Sequence, residues 1–388
     1  MTTNLPPQAK KKWAEVTEAR DPKDKIRLMQ EFLALVPRHK GTEKLQSQVR
    51  RRISQLKEEI EKAESRRKGT KRASLIEKAG AAQVIILGPT KVGKSMLLNT
   101  VTNAKPPIGE APFMTRKPIP GMLRYEDIQM QVVETPAVQP GLSEGKAEGT
   151  RTLNLVRNSD GIILMVDLSQ DAVNQYQLLA TELEKAQILT ARPEGEVEIT
   201  KRYTGSNIQF VWEGELQDCN MTEVSQVLKE YKITSALLRI RGKVTLDMIE
   251  NSIFGNPTYK PTLLLANKTD LPNAYQNLET LRKNVPDLEI LPISCLKPKG
   301  VQDLLGKKLF ELLGIVRIYT KETGSEPTSA PFITKQGATI QSLAKMIHSD
   351  FIKNFKYARI WGPSAKFPGE RVGLRHHLQD RDIVEIHA

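Results

Sequence analysis

Val84-Ile85-Ile86-Leu87-Gly88-Pro89-Thr90-Lys91-Val92-Gly93-Lys94-Ser95-Met96-Leu97-Leu98 is the stretch that decides the fold. A short continuous apolar run reads as a buried strand, and Met96-Leu97-Leu98 returns in helical register after a glycine-bounded loop. Gly88 to Ser95 satisfies G-x-x-x-x-G-K-S between that strand and that helix. Glycines let the loop wrap a phosphate without Cβ clashes. The backbone N–H groups from Val92 to Met96, at the helix N-terminus, then face anionic oxygen. Lys94 is placed to reach the β- and γ-phosphates, and the Ser95 hydroxyl to ligate Mg²⁺.

Outward from this loop, Ile128–Val133, Gly161–Leu168 and Thr262–Ala266 read as further strands with helical stretches between them. Buried strands alternating with helices predict an α/β fold with a mostly parallel sheet covered on both faces. Asn267-Lys268-Thr269-Asp270 closes the last of these strands, at the edge where such sheets bind ligands. The Asp270 carboxylate can accept two hydrogen bonds from N1–H and the 2-amino group of guanine. Adenine offers no such pair, and a carboxylate left unpaired rejects the wrong base. Ser294 and Cys295 follow another short apolar run, where a small residue lets backbone N–H groups approach the guanine oxygen; a buried strand end reads equally well there.

Between Leu168 and Thr262 the chain is far longer than a helical crossover requires. Glu196–Ile199 and Ile208–Trp212 look like strands and Thr222–Tyr231 like a helix, which predicts a small α+β insertion over 190–245. The first eighty residues read as a helical hairpin. One helix starts at Asp21-Pro22 and stops at Pro37. A second is capped by Thr42 and carries an apolar seam of Leu45, Val49, Ile53, Leu56 and Ile60. The predicted organisation is a basic helical region (1–80), a P-loop GTPase domain (81–314) holding the insertion, and a compact C-terminal unit (315–388).

Charge is unevenly spread. Residues 1–80 hold 21 Lys and Arg against 11 Asp and Glu, so this arm carries +10 of the chain's +13. Such an arm either meets an anionic partner, nucleic acid first, or is a solvated charged face; composition leaves both open. No apolar run approaches the ~18 residues of a spanning helix, so no membrane partner is expected. Cys219 and Cys295 lack zinc spacing and are too few for a disulfide framework, which suits a reducing cytoplasm.

These residues resemble the developmentally regulated GTP-binding proteins, within the wider Obg-like class of GTPases. The likeness is most specific at the C-terminus. There Val316-Arg-Ile-Tyr-Thr-Lys321, Phe355-Lys-Tyr-Ala-Arg-Ile-Trp-Gly362 and Val372-Gly373 look like the family's terminal TGS domain, a β-grasp fold. The resemblance implies Mg²⁺-dependent GTP binding, slow hydrolysis, and association with ribosomes or rRNA through the basic helices and the TGS domain. It also implies a regulatory protein partner for a monomeric chain. Pro112-Phe113-Met114-Thr115 matches the family's first switch and nominates Thr115 to sense the γ-phosphate through Mg²⁺.

Three departures stand out. The second switch reads Glu134-Thr-Pro-Ala137 instead of Asp-x-Pro-Gly, so a longer carboxylate holds a Mg²⁺-bound water, and Ala137 lacks glycine's easy access to positive φ. Val138 stands where signalling GTPases carry a water-orienting Gln. Relatives lacking that Gln bind a K⁺ ion near the phosphates beside a small polar residue, and here Lys91 occupies that position. Its ammonium either supplies the missing charge in cis, alongside Lys94 and Thr115, or points to solvent or rRNA. Phe351, Phe355, Tyr357 and Trp361 offer base stacking, but their spacing favours the core of a small domain.

Overall fold

The computed structural model describes residues 5–19, 21–37, 42–67, 76–106, 115, 117–201, 207–231, 233–254, 257–348 and 350–387. Side chains from 58 to 67 lie outside this set, as do Pro112-Phe113-Met114 and the basic residues 68–71.

Three helices open the chain where the apolar pattern predicts two: α1 (Pro7–Glu18), α2 (Pro22–Leu35) and α3 (Glu43–Arg67). Pro7 starts the first and Asp21 caps the second, accepting from the Lys23 N–H at 2.9 Å. The G-type sheet begins with β1 (Gln83–Leu87), followed by α4 (Lys94–Val101), β2 (Ile119–Tyr125), β3 (Ile128–Glu134), α5 (Gly149–Asn158), β4 (Gly161–Asp167) and α6 (Ala172–Lys185). The long crossover then contributes β5 (Ile188–Leu189), β6 (Gly195–Lys201), β7 (Ile208–Leu216), α7 (Met221–Glu230), β8 (Ala236–Val244), α8 (Leu246–Phe254) and β9 (Thr258–Tyr259). The chain re-enters the main sheet as β10 (Thr262–Asn267), α9 (Ala274–Asn284), β11 (Ile290–Pro292) and α10 (Val301–Leu312).

The main sheet has the order β11-β10-β4-β1-β3-β2. Its first five strands are parallel, with β1, β4 and β10 buried along their whole length, and β2 closes the edge antiparallel to β3. All five parallel strands therefore point their carboxyl ends the same way, which builds one ligand-facing edge.

The insertion does not stand alone. Val197, Leu238 and Ile240 from its sheet (β6-β8-β7), Val224 and Leu228 of α7 and Ile249 of α8 share one core with Trp13, Phe32, Val49 and Leu56 of the N-terminal helices. Leu45, Val49, Ile53 and Leu56 of the predicted α3 seam are buried for that reason, and the Ile60 side chain lies outside the described residues. By packing, this unit also includes α8, which runs beyond residue 245.

The C-terminal unit contains β12 (Ile315–Thr320), β13 (Phe332–Lys335), α11 (Ile340–Ile347), α12 (Asp350–Lys353), β14 (Tyr357–Trp361), β15 (Glu370–Val372) and β16 (Asp382–His387). Its sheet, ordered β13-β12-β16-β14-β15, packs one face on α11 through Val316, Ile318, Ala358, Ile360 and Val384. Among the described residues no helix is long and apolar enough to cross a membrane.

Candidate guanine-nucleotide site

Every predicted site residue lies on the carboxyl edge of the main sheet. The loop after β1 carries Gly88 to Ser95, β3 ends on Glu134, β10 ends on Asn267, and Ser294-Cys295 follow β11. Tight packing explains the glycines at two positions. A Cβ on Gly88 would lie 2.7 Å from the Met165 carbonyl oxygen. A Cβ on Gly93 would lie 2.4 Å from Asn267 Nδ2, and the residue's φ of 99° is left-handed.

Lys94 is buried at the foot of α4. Its ammonium donates to the carbonyls of Gly88 at 2.9 Å and Pro89 at 2.8 Å, so it lies inside the loop that would surround a phosphate. Burial pushes its pKa down to about 8, against the Glu134 carboxylate, which holds it up. Lys91 is exposed at the mouth of the same loop in a left-handed conformation, φ 63°.

Three oxygens from separate segments converge below Lys94. Ser95 Oγ donates to Glu134 Oε1 at 2.6 Å, and Thr115 Oγ1 donates to the same oxygen at 3.0 Å. The two hydroxyls are 3.5 Å apart. Glu134 is 1% exposed, and its Oε2 is buried with no hydrogen-bond partner among the described residues. A buried carboxylate oxygen without a proton donor is costly unless a cation meets it. Hydroxyl and carboxylate oxygens are also the ligands that Mg²⁺ prefers, so this set fits that ion.

The second switch is tied to the phosphate loop. Val138 donates its N–H to the Gly88 carbonyl at 3.0 Å, and Thr135 Oγ1 donates to the Ile86 carbonyl at 2.8 Å. Ala137 and Val138 are both buried, 8% and 4% exposed. A valine side chain packed in this place has no group with which to orient water.

The base-side residues form a linked set. Asn267 is buried and bridges two loops, its Nδ2 donating to the Val92 carbonyl at 2.8 Å and its Oδ1 accepting from the Cys295 N–H at 3.2 Å. Asp270 accepts from the Ser294 hydroxyl, which is the main reason its carboxyl is held below the usual range. Burial pushes the Cys295 thiol up to about 12. One contributor escapes sequence reasoning: Asp167, at the end of β4, is 1% exposed and pairs with Lys268 Nζ at 2.5 Å. Lys268 sits at a left-handed φ of 69°. Only the position of Asp167 at a strand's carboxyl end could have marked it.

Two arginines of the basic arm are engaged within the protein, while the side chains from 58 to 71 lie outside the described residues. Arg50 pairs with Glu144 at 3.0 Å. Arg51, 8% exposed, donates to the Ala186 carbonyl at the C-terminus of α6, a carbonyl that Arg157 also reaches. The negative end of the α6 dipole meets both guanidiniums, and these contacts dock α3 on the nucleotide-binding unit.

Comparisons with known proteins follow the same division of the chain. Residues 83–194 match the family described as 50S ribosome-binding GTPase, and residues 205–315 match the C-terminal region of that domain. Residues 316–388 match the TGS domain. An uncharacterized GTP-binding protein of Methanocaldococcus jannaschii is 34% identical over 94% of this chain and 92% of its own length. Developmentally-regulated GTP-binding protein 2 of Homo sapiens is 30% identical over 94% of this chain and 98% of its own. With the phosphate loop and the guanine reader on one sheet edge, and similarity running nearly end to end, the chain belongs to the developmentally regulated GTP-binding proteins of the Obg-like class.

Proposed function

We propose that this protein is a Mg²⁺-dependent GTPase with slow turnover that associates with the ribosome or its RNA. The observation that carries the reading is the meeting of the Ser95 and Thr115 hydroxyls at Glu134 Oε1, beside an Oε2 that has no hydrogen-bond partner among the described residues. Ser95 and Thr115 would hold Mg²⁺ directly and Glu134 through water, while Lys94 neutralises the β- and γ-phosphates. The ion, when bound, supplies charge stabilisation to the transferring phosphoryl group. Asn267, Lys268, Asp270, Ser294 and Cys295 select guanine, and Leu296, 67% exposed just beyond them, offers an apolar plate to the base.

Slow turnover follows from Val138 and Ala137, which supply no water-orienting side chain and no glycine hinge. Lys91, exposed at the loop mouth, takes the place of the K⁺ ion or arginine finger; such cations contribute on the order of 10³ to 10⁵ in rate. GTP turnover of wild type and Lys91→Ser in sodium and potassium buffers tests this. Potassium should rescue the variant and leave the wild type unchanged. Equal potassium dependence in both would sink the built-in cation.

A second reading is favoured by the Val138–Gly88 hydrogen bond, which ties the second switch to the loop: a GTP-binding scaffold with little hydrolysis. Phosphate release over long incubation, with and without ribosomes, separates the two. Cosedimentation with ribosomes in GTP, GDP and nucleotide-free conditions across a salt series tests the partner. Binding that ignores nucleotide removes the switch, and no binding removes the ribosome.

A further inference from the structure

Asp167 and Asn267 end the neighbouring strands β4 and β10 and are direct partners in register. Both lie on the sheet face of Ile163, Met165, Leu263 and Leu265, which pack with Val92 of the phosphate loop. Asn267 ties the loops together. One residue later Lys268 leaves β10 at a left-handed φ of 69°, a conformation that residues with a Cβ seldom adopt, and its side chain crosses to β4. There its ammonium meets Asp167 Oδ2 at 2.5 Å.

The two carboxylate oxygens of Asp167 have separate duties. Oδ1 accepts from the Ser169 N–H at 2.8 Å and from the Ser169 hydroxyl at 2.6 Å, which closes the loop after β4. Oδ2 is left to the lysine. The backbone around the acid is fixed as well. The Asp167 N–H donates to Gln175 Oε1 at 2.9 Å, the Leu168 N–H to the Asn267 carbonyl at 3.0 Å, and Asn277 Nδ2 to the Leu168 carbonyl at 2.8 Å. The Asp167 side chain is 1% exposed and that of Lys268 30%. One end of this ion pair is therefore immobile and dry, while the other lies open on the nucleotide-facing edge. Water screens such a pair far less than it screens one on the surface.

We propose that Asp167 is a positioning residue for guanine: it holds the Lys268 ammonium in the nucleotide-free protein, so that the lysine stem is already set as an apolar plate when the base arrives. A free lysine swings on a flexible four-carbon stem, and a ligand that has to order it binds more weakly by the rotamer freedom lost. An acid locked into its own loop removes that loss in advance. The inference rests on the reading of Lys268 as a guanine-selecting residue and names the group that makes it competent.

Asp167→Asn separates the two duties, because the amide keeps an oxygen for Ser169 and sets a neutral NH₂ against the ammonium. GDP affinity of the full chain, from displacement of a fluorescent analogue, should fall roughly ten-fold in this variant, with nucleotide-free melting as the check on folding. Lys268→Met should lose at least as much, and the double variant no more than Lys268→Met alone. Ser169→Ala, which weakens the loop and leaves the ion pair, should bind as wild type does. A second readout needs no nucleotide: acylation by a water-soluble amine reagent, followed by mass spectrometry. In wild type Lys268 should react more slowly than exposed Lys297, and several-fold faster once Asp167 is Asn. Unchanged GDP affinity in Asp167→Asn beside a loss in Lys268→Met overturns the positioning role and leaves the guanine reading of Lys268 standing. Additive losses in the double variant, an equal loss in Ser169→Ala, or a wild-type Lys268 as reactive as Lys297 overturn it too. Unchanged affinity in Lys268→Met removes both.

Discussion

Replacing Arg317 with methionine keeps an unbranched stem against Phe310, whose ring the guanidinium now covers at 4.8 Å, and removes one charge. That charge holds three carboxylates. Arg317 Nη2 reaches Asp380 at 2.7 Å, Nη1 reaches Asp127 at 2.7 Å, and Nη1 also meets Glu126. The guanidinium side chain is 4% exposed, whereas Glu126, Asp127 and Asp380 are 42%, 29% and 31% exposed. Breaking a fully buried pair costs about 3–5 kcal/mol and an exposed pair under about 1. These carboxylates regain water once the arginine is gone, so the expected loss is about 2 kcal/mol. For a domain of this size that lowers the melting temperature by about 8–16 °C.

The acid dependence has a definite sign. Hydrogen bonds from Arg317 and then Arg381 hold Glu126 below the usual carboxylate range. Partial burial works upward on Asp127 and Asp380, but hydrogen bonds to Tyr319 and Arg317, or to Arg317 alone, outweigh it and leave both lowered. Depressed carboxylates stabilise above their unfolded values near pH 4 and lose that contribution as pH falls through the folded ones. Melting followed by Trp361 fluorescence, with Trp13 and Trp212 changed to Phe, reads this domain. The gap between wild type and Arg317→Met should be full at pH 7 and close in strong acid. A shift under about 2 °C at pH 7, or a gap that persists in acid, refutes the argument.

Three further outcomes are expected. Gly93→Ala should abolish GDP binding measured by a fluorescent analogue, because its Cβ meets Asn267 at 2.4 Å in a left-handed residue; retained affinity would mean that the loop yields freely. Asn267→Ala leaves the Val92 carbonyl and the Cys295 N–H without their partner, at about 1–3 kcal/mol each, so GDP affinity should fall at least ten-fold. Lys94, with a pKa near 8 in the free protein, should take up a proton when phosphate raises that value. Calorimetry at pH 9 in buffers of different ionisation enthalpy should show this uptake for wild type and lose it in Lys94→Met. In the free chain the Lys94 contribution to stability should rise between pH 8 and its unfolded value of 10.5, where the unfolded state holds more protons.

Local chemistry was legible in the chain itself. The phosphate loop is contiguous, and its strand, glycines and helix start need no distant partner to be recognised. Alternation of buried runs with helices likewise foretold the parallel sheet. Strands β2 and β8 went unread because half-exposed edges and mixed patterns such as Ala236–Val244 acquire meaning only from their neighbours in register. The same limit applies to Arg50 and Arg51, which look like an open basic face until α3 is laid against α6.

That a phosphate loop precedes a guanine reader and that a small unit follows them can be read from the chain, because those properties reside in neighbouring residues. Three other things came from tertiary packing alone: Glu134 meets Ser95 and Thr115 with one oxygen to spare, the N-terminal helices share a core with the insertion, and Arg317 ties the TGS sheet to the β2–β3 turn. Each depends on segments far apart in the chain. Burial and charge compensation are set by what packs against a residue, and no local pattern encodes that.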